Sequence, residues 1–269
     1  LVSSVVFSKY TNKLMDLING MSDITKDVNL NGYQPMTATN TIIGQPIGMF
    51  YGLKANGLYR NEADLSNALE TFGGAPQLGD VRYVDVNGDG VIDLKDRTTI
   101  GNPHPDFTFG FTNSFRYKAF DLSVFVQGSV GNEILNLTRR NGTQTAMMYQ
   151  NQLAEAMDYW SPTNVDAANP RLINSTSHAN IMISDRYVEK GAYLRVQNVT
   201  LGYNMPSEFA SKLSLSKLRI YVTGQNLYTL TDYSGYDPEI GAFNQDVLLS
   251  GIDNGRYPSP RTYILGFNI

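Results

Sequence analysis

Two runs near the middle of the chain alternate apolar and polar residues with almost no break between them. In Phe107–Tyr117, residues Phe107, Phe109, Phe111, Phe115 and Tyr117 share one face, and Thr108, Gly110, Thr112, Ser114 and Arg116 share the other. In Phe120–Gly128, Phe120, Leu122, Val124 and Val126 stand opposite Asp121, Ser123 and Gln127, with Phe125 the one exception on the polar face. Only Lys118-Ala119 joins the two runs. Sustained period two predicts an antiparallel pair of strands. Each run has the length of roughly 9–11 residues that crosses a bilayer as a tilted strand. Tyr117 and Phe120 flank the turn, where a membrane barrel carries interfacial aromatics. A hairpin of a soluble β-sandwich alternates in the same way, so these two runs alone leave both architectures open.

Further alternating runs follow the same plan. Val5 and Phe7 alternate within Leu1–Leu17. Val188–Tyr203 is predicted as one strand whose apolar phase switches from Leu194/Val196 to Val199/Leu201/Tyr203, which implies a bulge or an upper half outside the membrane. Leu218, Ile220 and Val222 alternate with Arg219, Tyr221 and Thr223, and Tyr263, Leu265, Phe267 and Ile269 form the face of a last strand over Arg261–Ile269. Three long polar stretches separate the strands, at 19–105, 136–187 and 230–260; the two short connections follow Tyr117 and Tyr203. Within the stretches, Met21–Asn40 reads as loop and Gly44–Arg60 as a hairpin turning at Ala55-Asn56-Gly57. Asn61–Phe72 reads as a short helix with Ala63, Leu65, Ala68 and Leu69 on one face, stopped by Gly73-Gly74. Gln150–Tyr159 reads as another, with Leu153, Ala156 and Met157 inward.

Long connections at one end and short turns at the other are the signature of an outer-membrane barrel, long loops outside and short turns in the periplasm. The expected fold class is therefore all-β: about six antiparallel strands of a large transmembrane β-barrel with long extracellular loops. Phe107, Phe109, Phe111, Leu122, Val124, Leu201, Ile220, Leu265 and Phe267 are expected to meet lipid, and Arg116, Asp121, Ser123, Arg219 and Thr223 to face the lumen.

The stretch Asp85–Asp96 brings in a second chemistry. Asp85, Asn87, Asp89 and Asp93 fall at positions 1, 3, 5 and 9 of a calcium-loop pattern, with Gly90 at position 6 and Val91 offering its carbonyl at position 7. Position 12 is Asp96, a shorter carboxylate than the usual Glu, and an extended VRYVDV run precedes the loop in place of a helix. A structural Ca²⁺ is the expectation. The alternative is a metal-free surface loop of Asx turns.

Composition narrows the rest. The chain has 269 residues, 42% hydrophobic and 17% charged, with a net charge of −4 and no basic stripe, so nothing favours nucleic-acid binding. Cysteine is absent, which removes disulfides, thiolate metal sites and a Cys nucleophile. No apolar run reaches the length of a transmembrane helix, a finding that says nothing against a barrel. The chain lacks an initiator Met and a signal-peptide pattern, so it is expected to begin inside a larger protein.

Five segments, in order along the chain, carry a family resemblance: GQPIGMFYGLKANGLYR, GDVRYVDVNGDGVIDLKDRTTIGNPHPDFTFGF, GAYLRVQNVTLGYNMP, LRIYVTGQNLYTLTDYSGYDPE and YPSPRTYILGFNI. Together they resemble the C-terminal part of a SusC/RagA-type TonB-dependent outer-membrane transporter of Bacteroidetes. The resemblance implies a plugged barrel of about 22 strands, with the plug, the TonB box and most of the wall upstream. It further implies a SusD-like surface lipoprotein over the mouth, TonB acting through the missing N-terminal part, and import of oligosaccharides or peptides across the outer membrane. Such transporters end on an aromatic residue slightly beyond the position of Ile269, so the end is expected to be cut short as well.

No catalytic constellation stands out. His104 and His178 lie in loops outside any recognisable motif, and an acidic pair such as Asp237/Glu239 is common in loops. The chain is read as no enzyme. Trp160, Tyr233 and Tyr236 are candidates for contact with a sugar or a partner, against the plainer role of anchoring long loops. The competing reading of the whole chain is a soluble secreted calcium-binding β-sandwich module, such as an adhesin or a carbohydrate-binding domain.

Overall fold

The computed structural model describes residues 1–29, 35–144, 151–175 and 177–269. Its largest element is an antiparallel sheet of β1 (Val2–Ser8), β2 (Phe107–Tyr117), β3 (Phe120–Val130), β4 (Tyr193–Asn204), β5 (Arg219–Thr231) and β6 (Thr262–Asn268), each strand beside its successor. All six expected strands are present in the expected order.

The register turns the alternating pattern into rows. Phe115, Leu122, Leu201, Val222 and Leu265 lie side by side across five strands, and Tyr117, Phe120, Tyr203, Ile220 and Phe267 form the next row. The phase switch in β4 is a bulge at Gln197, where the pairing with β3 shifts between Phe125 and Val126. The extra residue returns Leu194 and Val196 to the same face as Val199, Leu201 and Tyr203. Asn113 and Ser3, in register on neighbouring strands, are polar exceptions on this face, and the Ser3 hydroxyl donates to Asn113 Oδ1 at 2.6 Å.

The buried core lies elsewhere. None of the buried apolar residues described belongs to the six strands; Phe111, Phe115, Leu201, Val222, Leu265 and Phe267 are all exposed. A sandwich would press this face against a second sheet. Here the core sits in a cap built from the three long loops, which all leave the same end of the sheet. Val28 and Phe50 of the first loop, Leu135 and Ile181 of the second, and Leu249 and Ile252 of the third share one cluster. Backbone ladders join the loops: Leu53 bridges Ser184, and Leu135 pairs with Ile252. A second cluster gathers Leu58, Val81, Tyr83, Ile92 and Trp160.

Inside the cap several local expectations fail. Met21–Asn40 is no loop: Asp23–Val28 and Met36–Ile42 pair antiparallel. Their alternation is hidden because Thr39, Asn40 and Thr41 are buried polar residues, and Thr suits a pleated strand. Gly44–Arg60 is no hairpin. Met49–Gly52 pairs with Met36–Ile42 and Thr98–Gly101, whereas Ala55–Leu58 pairs with Val81–Tyr83. Leu53 between them bonds to the second loop, and the missing side chain of Gly52 lets the Ile183 carbonyl approach.

The helix expected over Asn61–Phe72 is a single turn, Glu62–Leu65, capped by the Asn61 side chain; Glu70–Thr71 runs instead as a strand beside Val91–Ile92. Of the Gln150–Tyr159 helix only the short 3-10 turn Ala154–Met157 forms. It buries Ala156 but leaves Met157 exposed, and Gln150 lies outside the described residues. Val188–Tyr203 is two strands, since Val188–Lys190 joins the cap beside Glu133–Asn136 before β4 begins.

Candidate functional site

The sheet face opposite the exposed apolar rows is polar and closely packed. Arg219 grips Asp121 with two bonds, Nε to Oδ1 at 3.0 Å and Nη2 to Oδ2 at 2.6 Å, and Asn204 donates to the same carboxylate at 2.9 Å. The guanidinium crosses β4 above Gly202, where any Cβ would collide with it. Farther up, the Thr200 and Thr223 hydroxyls bond at 2.8 Å. Phe125, the apolar exception on this face, lies over Gly110 of the adjacent strand. Arg116, Asp121, Ser123, Arg219 and Thr223 all fall on this polar face.

At the cap end of the same face, Arg195 is 3% exposed. Its guanidinium bonds Thr229 at 3.0 Å, Glu239 at 2.9 Å and Asp237 at 2.5 Å. Asp237 is also buried and accepts the backbone N–H groups of Glu239 and Ser259, each at 3.0 Å. A wall strand is thereby tied to both ends of the third loop. Sequence reading passed over Arg195 because it sits between Leu194 and Val196, and nothing local marks its carboxylate partners.

The Asp85–Asp96 loop is closed by its own backbone. Asp85 accepts from Gly88 and Gly90, at 2.6 and 2.9 Å, and Asp89 accepts from Val91. These amides, Gly90 foremost, hold the Asp85 carboxyl below its ordinary range. Asp96 is fully buried and accepts from Val86, Asn87 and Asp93, so it braces the turn and does not face the rim. Lys95 extends its ammonium toward Asp93 at 3.4 Å and Asp89 at 4.0 Å. Gly88 and Gly90 take the left-handed conformation that this tight turn needs. Among the described residues, no three carboxylate or imidazole groups converge as a metal-ligand set. Asp85, Asp89 and Asp96 thus spend acceptor positions on the loop's own amides.

Two of the three candidate contact aromatics are interior. Trp160 is 9% exposed and its ring covers Gly79, which has no side chain to obstruct it. Tyr233 is buried, its hydroxyl donating to Asp253 at 2.6 Å. Burial and the Asp253 bond push the Tyr233 pKa well up. Neither ring offers a free face; Tyr236 does. His178 is wedged against Asn180, Arg171 and Asp80, and burial lowers its pKa; His104 is held by the Ile47 carbonyl at 2.7 Å.

No family model matches the chain. It is 38% identical over 268 residues to a TonB-dependent receptor of Formosa agariphila, in an alignment that takes in 98% of this chain and 26% of the relative. Over nearly its whole length the chain is similar to a stretch of TonB-dependent receptors. It is 28% identical over 190 residues to the TonB-dependent receptor SusC of Bacteroides thetaiotaomicron, covering 70% of this chain and 17% of SusC. Among solved structures, that of the RagAB peptide transporter shares the fold, with a TM-score of 0.73 at 21% identity over 98% of this chain and 26% of that one. The chain thus spans about a quarter of the length of the curated Formosa agariphila receptors it matches. The six-stranded sheet is a segment of barrel wall, unclosed here, and the relatives are receptors and not enzymes.

Proposed function

We propose that this chain supplies six adjacent wall strands and three extracellular loops to an outer-membrane importer. Energy would come from TonB acting on parts of the protein beyond this chain, and a SusD-like lipoprotein would sit on the loop cap. The cargo is a glycan or a peptide. One observation carries the reading: an apolar sheet face without a covering layer backs a polar, ion-paired face, and the two buried core clusters lie in loops at one end. Lipid is the environment that suits the first face, and a wet lumen the second. Phe107, Phe109, Phe111, Leu122, Val124, Leu201, Ile220, Leu265 and Phe267 then meet lipid. The test is the gel mobility of the full-length protein extracted from outer membranes. We expect a folded band that shifts on heating and a co-isolated surface lipoprotein. A soluble protein without a heat shift would overturn the reading in favour of a secreted β module.

We further propose that Ca²⁺ binding to the Asp85–Asp96 loop requires rearrangement. Spacing supports it, through Asp85, Asn87, Asp89, Asp93 and the Val91 carbonyl. Lys95 and the loop amides oppose it by occupying the same oxygens. Lys95→Gln removes the competing cation, and it should tighten Ca²⁺ binding by no more than about fivefold in calorimetry of the full-length protein, the scale of one exposed charge pair. Absence of any Ca²⁺ heat in both proteins would retire the metal and leave a self-closed Asx loop.

A further inference from the structure

We infer that the connection between β4 and β5 is a foot that rests on the periplasmic surface of the bilayer and prefers anionic phospholipid there. This rests on the wall reading above and adds a lipid contact beyond the strands. The connection, residues 205–218, is more than a bare turn. It carries a helix, Ser207–Lys212, entered through Pro206. The helix stops where Ser214 takes a left-handed conformation and the Leu215 N–H bonds the Ala210 carbonyl at 3.0 Å. At the neck of the connection the Met205 N–H bonds the Leu218 carbonyl at 2.8 Å, next to the last β4–β5 pair, Asn204 with Arg219. The helix is thereby held at a fixed place below the sheet.

Its two sides differ. Ser207 and Ala210, three apart, line a pocket with Arg116 and Arg219 of the polar sheet face, and Ala210 is buried. Phe209 and Leu213, four apart, take no part in that lining and are 54% and 60% exposed. They lie a few residues beyond Tyr203 and Ile220, members of the last apolar row of the uncovered face. The helix therefore carries the apolar face past the end of the strands, on the side away from the lumen. An apolar helix side at the edge of a bilayer suits the boundary between headgroups and acyl chains.

Charge selects the headgroup. The two short connections at this end hold Lys118, Lys212 and Lys217 against one carboxylate, Glu208. Among the described residues, the lysines in salt bridges are Lys26 and Lys95, so these three ammonium groups have no carboxylate partner. Two of them lie over exposed rings: Lys118 Nζ is 5.4 Å from the centre of Tyr117, and Lys212 Nζ is 5.3 Å from that of Phe209. A ring that enters the boundary brings its ammonium group to the phosphate level, where a long lysine stem keeps the charge in water. An excess of cations beside an apolar helix side matches a leaflet with net negative charge. A neutral protein surface would leave the three lysines unanswered.

Hydrogen exchange of the full-length protein in two kinds of nanodisc tests this, one of phosphatidylethanolamine alone and one with an equal share of phosphatidylglycerol. Amides of residues 207–215 should exchange about tenfold more slowly in the anionic discs, since each lysine at an anionic surface adds several-fold to binding. Lys212→Gln/Lys217→Gln should erase that difference, and Phe209→Ser should speed exchange in both discs. Lys54→Gln, on an exposed residue of the cap, serves as the control that changes neither. Equal exchange of the native protein in both discs, or an undiminished difference in the double-lysine variant, would overturn the lipid preference. Protection that arises only in whole outer membranes, and in neither disc, would give this surface to a protein partner and overturn it too. The same samples are run for heat-modifiable mobility. A heat-shifted band with equal exchange in both discs rejects the foot and leaves the wall and the importer standing, and loss of the band itself rejects both.

Discussion

Val124→Arg is expected to keep the full-length protein from reaching its folded, heat-shifted form in the outer membrane, while Ser123→Arg next to it assembles normally. The two residues are neighbours on β3 and face opposite ways. Val124 lies in the row with Asn113, Val199, Gly224 and Tyr263, near the middle of the strands. Ser123 lies on the polar face, between Ser114 and Thr200. Arginine at the midplane of a barrel's lipid face costs about 2–4 kcal/mol; a lumenal position carries no such penalty. With native stabilities of roughly 5–15 kcal/mol, that is a large share of what holds a barrel together. Comparing both variants by the fraction of heat-shifted band separates face from strand. Equal loss in the two would mean that the sheet tolerates charge on neither side, and the wall assignment would fall.

The wall was legible because its period is fixed by the pleat. Period two needs no tertiary partner to be read, and the bulge at Gln197 left a visible trace as the phase change between Val196 and Val199. Phe125 looked like an error of pattern. It is explained only by Gly110 on the next strand, a relation the linear chain does not display. Likewise Asn113 on the apolar face is acceptable because Ser3, far away in sequence, donates to it.

The cap was largely illegible for a related reason. Its strands are two to seven residues long, most pair with strands far along the same loop, and contacts such as Leu53 with Ser184 and Leu135 with Ile252 cross from one loop to another. Short strands of this kind have too few residues to show a period, and polar members such as Thr39 are satisfied at a distance: the Thr39 hydroxyl reaches the Leu248 carbonyl. Local propensity favoured a longer helix after Asn61, and pairing with Val91–Ile92 overrode it. The aromatic candidates divided by burial. A Trp or Tyr in a polar loop reads the same whether it anchors the loop or greets a ligand, and only the packing over Gly79 and the bond to Asp253 place Trp160 and Tyr233 inside.

Arg195→Ala is expected to release the third loop from the wall without dismantling the sheet. Arg195 and Asp237 are both nearly inaccessible, and Asp237 alone holds the amides of Glu239 and Ser259. Removing the guanidinium strands a buried carboxylate, a defect of about 3–5 kcal/mol. The loop can relieve it by opening at this end, since its other attachments are to the cap and, through the Pro260 carbonyl and Asn226, to β5. Hydrogen exchange over residues 237–260 of the full-length protein should therefore accelerate on the order of 100-fold, with the strand amides of β3 unchanged. Arg195→Ala/Asp237→Asn should recover part of the protection, because the neutral amide is easier to leave buried. The acid limb gives an independent check. Burial pushes the Asp237 carboxyl up, but the Ser259 and Glu239 amides and the Arg195 pair outweigh it, so its folded pKa lies below the ordinary value. A group depressed in this way contributes fully above its unfolded pKa of about 3.9, and the contribution fades as pH falls through the lower folded value. The native loop should stay closed down to roughly pH 4 and open only in stronger acid, whereas the Arg195→Ala loop opens already at neutral pH. Identical exchange profiles for the two proteins across that range would mean that the buried pair does not hold the loop.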